Sequence, residues 1–133
     1  MKDGEAEGHL IGGNLALFQY LPQSLPGHYW KDGILFIEDW NEELSRIDRM
    51  MLNLKRTGVF KDVKGIIFGE FSRIPEECGT PFGFSLEDLI LDHTEGLDIP
   101  ILINAPIGHG KSLHPFIIGY KIKLSSRSPH ISF

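Results

Sequence analysis

The sequence predicts an α/β fold, and three observations carry that prediction. Three short runs, Ile34–Ile37, Gly65–Gly69 and Ile99–Ile103, are nearly uninterrupted in apolar residues, as strands covered on both faces are. Between the first two lies Asn41–Gly58, whose apolar residues recur at helical spacing. After the third, apolar and lysine positions alternate and the chain then turns, as a terminal hairpin does. Strand, helix, strand, helix, strand and hairpin is an α/β order.

The first element is a short helix after Gly12-Gly13-Asn14, running through Leu15, Leu17, Phe18 and Leu21. Pro22–Gly33, rich in proline, glycine and polar residues, reads as a surface loop. The strand Ile34–Ile37 runs into Glu38 and Asp39, whose side chains should point to opposite sides because a strand alternates. Asp39 followed three residues later by Glu42 predicts a capping box for a helix beginning near Trp40. That helix places Leu44, Ile47, Met51 and Leu54 on one face and Glu43, Arg46, Arg49 and Asn53 on the other. Gly58 ends it, with Lys55 and Arg56 in the last turn where cations favour the helix dipole. Gly65–Gly69 is the second strand, and Pro75–Gly83 a second loop. Ser85, with Asp88 three residues on, opens another helix to about His93. Ile99–Ile103 is the third strand. In the tail, Tyr120, Ile122 and Leu124 alternate with Lys121 and Lys123, and a turn near Ser128-Pro129 returns a last strand.

Composition narrows the function. A chain of 133 residues fits one domain and can bury roughly two thirds of its unfolded surface. Hydrophobic residues make up 41% and mean hydropathy is −0.08, which excludes disorder as the default. Apolar runs such as Ile34–Ile37 and Phe116–Ile118 fall far short of the roughly 20 residues of a membrane span. The polar, acidic N-terminus has no secretory-signal pattern, and the lone Cys78 points to a reducing, cytosolic setting. With 13 basic against 18 acidic residues the formal charge is −5, which opposes binding to a phosphate backbone.

Two constellations carry candidate chemistry. Ala105–Ser112 ends in Gly-Lys-Ser after a strand, as a phosphate-binding loop does, but such a loop needs a helix directly behind it. Pro115 and Gly119 interrupt any helix there, so nucleotide binding is the weaker reading. In the same loop His109 stands between two glycines just past a buried strand, where α/β sheets place ligands. Glu38, left over once Asp39 is given to a cap, could orient that imidazole and stabilise its charged form. A Glu–His pair needs a nucleophile to act as a hydrolase, and no serine or cysteine here sits in a sharp strand-to-helix turn. A hydrolase reading therefore implies machinery outside this chain. The opposing reading is a binding or interaction module of the same fold.

Four ordered segments resemble the C-terminal half of the LD-carboxypeptidase family of serine peptidases, which includes muropeptide LD-carboxypeptidases and microcin C immunity proteins. They are Gly8-His9-Leu10-Ile11-Gly12-Gly13-Asn14-Leu15, Gly33–Asp39, Ile47-Asp48-Arg49-Met50 and Pro106-Ile107-Gly108-His109, within about residues 7–124. The resemblance implies a swivelling β/β/α-type domain covering 1–133. It also implies a Ser-Glu-His triad in which Glu38 and His109 come from this chain, the serine coming from a preceding flavodoxin-like domain. It further implies release of the terminal D-alanine of murein tetrapeptides, a cytosolic homodimer, and no metal or organic cofactor. Asn14 has two readings, a lining of the substrate cleft by resemblance and a helix N-cap by position. The family's Leu-Pro-x-Gly element after the histidine is replaced by Phe116-Ile117-Ile118-Gly119, and the Pro22–Lys31 loop holding His28, Tyr29 and Trp30 does not align with the family's pattern.

Overall fold

The computed structural model describes residues 3–75, 81–110, 114–127 and 130–132. In chain order the elements are β1 (Glu5–Asn14), α1 (Leu15–Phe18), β2 (Ile34–Trp40), α2 (Leu44–Thr57), α3 (Val59–Asp62), β3 (Gly65–Ser72), α4 (Leu86–His93), β4 (Ile101–Leu102), β5 (Lys121–Ser125) and β6 (His130–Ser132). The strands form one six-stranded sheet among the described residues, ordered β4-β3-β2-β1-β5-β6. The first four are parallel, and β5 and β6 continue the sheet antiparallel from β1. The α/β class is as predicted, with the third strand trimmed to Ile101–Leu102.

Alternation along each strand sorts the core. Leu35, Ile37, Ile66, Phe68 and Ile101 face the helices, packing on Ile47, Met51, Leu54, Phe60 and Ile90. Ile34, Phe36, Ile67 and Leu102 face the other way, covered by Ile107, Phe116, Ile122 and Leu124 as the antiparallel end curls over. The helices thus lie on one face only. The tail pairs as predicted, with Ile122 and Leu124 buried and Lys121 exposed. Lys121 also pairs with Glu7 of β1 and holds that carboxyl below its ordinary range. The turn at Ser128-Pro129, Cys78, and Lys111 with Ser112 lie outside the described residues.

Three expectations are corrected. The first element is not the short helix but β1, a strand in the interior of the sheet that leads directly into that helix. Its glycines serve close packing: a Cβ on Gly8 would sit 2.5 Å from the Asp32 carbonyl oxygen, and one on Gly12 1.9 Å from that of Phe36. The helix through Leu21 stops at Phe18, and a 3₁₀ turn at Leu21–Gln23 follows. The long helix begins at Leu44, with Glu43 as an N-cap lacking a side-chain bond, so Asp39 and Glu42 make no capping box. Asp39 stays inside β2, too far back to reach that helix, and Glu42 pairs with Arg46 instead. Gly58 ends α2 as predicted, at φ 84 in the left-handed region. The capping box of Ser85 and Asp88 forms on α4, and the Ser85 hydroxyl and amide hold the Asp88 carboxyl below its ordinary range. Asp48 of the Ile47–Met50 segment accepts a bond from buried His93 at 2.7 Å, tying α2 to α4.

Candidate active site

The carboxyl ends of β1, β2 and β3 share one edge, and Asn14, Glu38, Ser72 and the loop to His109 meet there. Asn14 is the register partner of Glu38 across β1 and β2. Against β3 the register slips at this point, since Ile37 pairs with Phe68 but Asp39 with Phe71. Gly69 and Glu70 therefore oppose the single residue Glu38, a bulge that bends the strand tip. The loop bonds into that bend. The Glu70 amide donates to the Ile107 carbonyl at 2.7 Å, and Glu70 pairs with Gly108 in a parallel bridge. Gly69 permits the approach, because a Cβ there would lie 2.5 Å from the Ile107 oxygen.

The result is a histidine laid onto a buried carboxylate. His109 Nδ1 lies 2.6 Å from Glu38 Oε2, with the glutamate side chain 7% exposed and the imidazole 55% exposed. A carboxylate can only accept, so Nδ1 carries the proton and the Nε2 of the neutral ring keeps a lone pair. Glu38 follows Phe36 onto the face away from the helices, and Asp39 turns to the helical face as alternation requires. The backbone of His109 is held separately, since the Ser72 hydroxyl donates to its carbonyl at 3.1 Å. Beside the imidazole stands Trp40, ring centroids 6.3 Å apart, with the Arg73 guanidinium 5.4 Å from the centre of the same indole.

Asp39 is the site component whose partners the sequence hid. Its carboxylate accepts from Asn14 Nδ2 at 2.8 Å, from the Ala16 amide at 2.9 Å and from the Trp40 amide at 2.8 Å. Asn14 in turn caps α1, its Oδ1 accepting from the Leu17 amide at 3.2 Å. The N-cap reading of Asn14 therefore holds, and most of its amide is committed to protein partners. These bonds clamp the tips of β1 and β2 together under Glu38. Replacing Asp39 by alanine leaves donors unpaired at a buried position and should cost roughly 3 kcal/mol, read as a lower urea midpoint. An unchanged midpoint would show that the clamp contributes nothing to stability.

No helix follows the His109 loop over residues 114–120, so the feature that a phosphate-binding loop needs is missing from that described segment. Among the described residues no cluster of three His, Cys, Asp or Glu side chains is placed to hold a metal ion, and no helix is long and apolar enough to cross a membrane.

The LD-carboxypeptidase C-terminal domain profile matches residues 7–124. A Synechocystis sp. protein bearing a carboxypeptidase name is 33% identical over 133 residues, covering 98% of this chain and 43% of its own length. The microcin C7 self-immunity protein of Escherichia coli is 28% identical over 97% of this chain and 37% of its own. The crystal structure of muramoyltetrapeptide carboxypeptidase from Oxalobacter formigenes superposes with a TM-score of 0.82 at 30% identity, over 97% of this chain and 45% of that one. The chain thus spans less than half the length of these relatives.

Proposed function

Because the chain belongs to the LD-carboxypeptidase family, as its C-terminal domain, we propose that it supplies the glutamate and histidine of a serine carboxypeptidase triad. The carrying observation is the 2.6 Å bond from His109 Nδ1 to the buried Glu38 carboxylate, which leaves Nε2 as the lone-pair nitrogen of a half-exposed imidazole. In this reading a serine from a preceding flavodoxin-like domain comes to Nε2. The imidazole takes the hydroxyl proton as Oγ attacks the carbonyl of an L-to-D peptide bond, and Glu38 stabilises the imidazolium. The same proton passes to the leaving D-alanine amine as the C–N bond breaks. Water, deprotonated by His109, then releases the acyl group and regenerates the serine. The nucleophile is external to this site. The described hydroxyl bonded at His109 is that of Ser72, and it donates to the backbone carbonyl rather than to the ring.

Murein tetrapeptide is the proposed substrate, on the strength of the name of the Oxalobacter formigenes relative. The test is a chimera in which residues 7–124 replace the matching segment of that enzyme. The chimera, folded by circular dichroism, should release D-alanine from a murein tetrapeptide, and the chain alone should release none. Release by the chain alone that disappears in Ser72→Ala would place the nucleophile inside this domain and overturn the reading. A folded chimera that binds the peptide without turnover would favour a non-catalytic binding domain instead.

A further inference from the structure

A carboxypeptidase must tell the last peptide bond from internal ones, and the chemical mark of that bond is the free carboxylate one residue beyond it. Resting on the triad reading above, we infer that Arg73 is the group that recognises this carboxylate. Four observations converge on it. Arg73 directly follows Ser72, whose hydroxyl bonds the His109 carbonyl, so it leaves β3 at the triad itself. Its guanidinium rests 5.4 Å from the centre of the Trp40 ring, the same indole that flanks the His109 imidazole at 6.3 Å. Its backbone sits at φ 56, in the left-handed region that a long unbranched side chain seldom adopts. Finally, Arg73 is exposed and makes no ion pair with a carboxylate among the described residues.

Together these features describe a cation held in place with no carboxylate partner among the described residues. Trp40 is itself fixed, its amide donating to Asp39 and the next amide, that of Asn41, donating to the Ser72 carbonyl at 3.0 Å. Stacking on the indole orients the guanidinium plane, and the N–H fork of a guanidinium matches a planar anion. The spacing suits a terminal residue. Consecutive Cα atoms are about 3.8 Å apart, so the terminal carboxylate lies within one residue of the scissile amide, and Trp40 is the side chain that neighbours both the His109 imidazole and the Arg73 guanidinium. Lysine would place a charge there but not a two-pronged donor.

The test begins with the chain itself and N-acetyl-D-alanine, followed by NMR of the Arg73 side-chain Nε–H. Saturable binding is expected for the acid and not for N-acetyl-D-alaninamide. Arg73→Ala should weaken binding roughly 10- to 100-fold, and Arg73→Lys should lie between. No saturable binding, equal binding of acid and amide, or an unchanged Kd in Arg73→Ala would each overturn the assignment. In the chimera, Arg73→Ala should raise KM for the tetrapeptide by a similar factor and erase its preference over the C-terminally amidated peptide. An unchanged KM and preference there, with turnover still abolished by His109→Ala, removes Arg73 and leaves the triad reading standing. A chimera indifferent to His109→Ala, with carboxylate binding still dependent on Arg73, removes the triad reading and leaves the anion site.

Discussion

In the chimera, His109→Ala should lower kcat on the order of 10⁶-fold and Glu38→Gln on the order of 10⁴-fold, each with the fold intact. The histidine is asked to do two jobs, accepting the serine proton and then delivering it to the leaving amine, so its loss removes base and acid together. The glutamate does one. Its bond at 2.6 Å fixes the ring in the tautomer that keeps the lone pair on Nε2, and its charge lowers the cost of the imidazolium. A glutamine of the same shape keeps much of the packing but loses the charge, and its amide can present an N–H to Nδ1 and so favour the wrong tautomer. The imidazole is 55% exposed, so alanine opens no cavity, but it leaves the buried Glu38 carboxylate without its partner, and the urea midpoint should fall modestly while circular dichroism stays that of the parent. D-alanine release under single-turnover conditions is the decisive measurement. A His109→Ala chimera retaining a tenth of the parental rate would show that some other group moves the proton.

Much of this site was legible in the sequence because its parts sit where local rules apply. Ile34–Ile37 is apolar at every position, so the end of a buried strand could be placed at Glu38, and alternation then separated Glu38 from Asp39. Gly58 and the Ser85–Asp88 pair are local signals and were read at the right residues. What escaped was set by distant partners. Asp39 looks like a cap for the next helix because Glu42 is three residues on, but its partners Asn14 and Ala16 lie 25 and 23 residues before it. The glycines of β1 resemble turn signals, and only the carbonyls of β2 against them show that they are contact points. A period-two pattern was nonetheless present there, with Gly8 and Leu10 buried and Glu5 and His9 exposed. The bulge at Gly69–Glu70 and the stack of Arg73 on Trp40 left no such trace, since neither arises from spacing within one segment.

Gly108→Ala should cost the chimera about 100-fold in kcat, although the substitution adds one methyl group and touches no reacting atom. Gly108 holds φ 108, a conformation that an L side chain adopts only under strain. A Cβ built there would lie 2.8 Å from both Cβ and Oε2 of Glu38 and 3.0 Å from its Cγ. Those are the atoms that carry the carboxylate to His109. Relief can come from moving the Glu38 side chain or from lifting the loop off β3, and either move lengthens the 2.6 Å bond and misplaces Nε2. The buried end of β2 gives Glu38 little room, since a Cβ on neighbouring Gly69 would already lie 3.1 Å from its Cβ. Gly110→Ala is the matched comparison two residues along the same loop. There the clash falls on the Glu70 carboxyl group, the far end of a flexible side chain that can swing away, so turnover should change only a few-fold. Comparable losses in the two variants would mean that the loop as a whole, rather than the seat of Glu38 beneath Gly108, sets the activity.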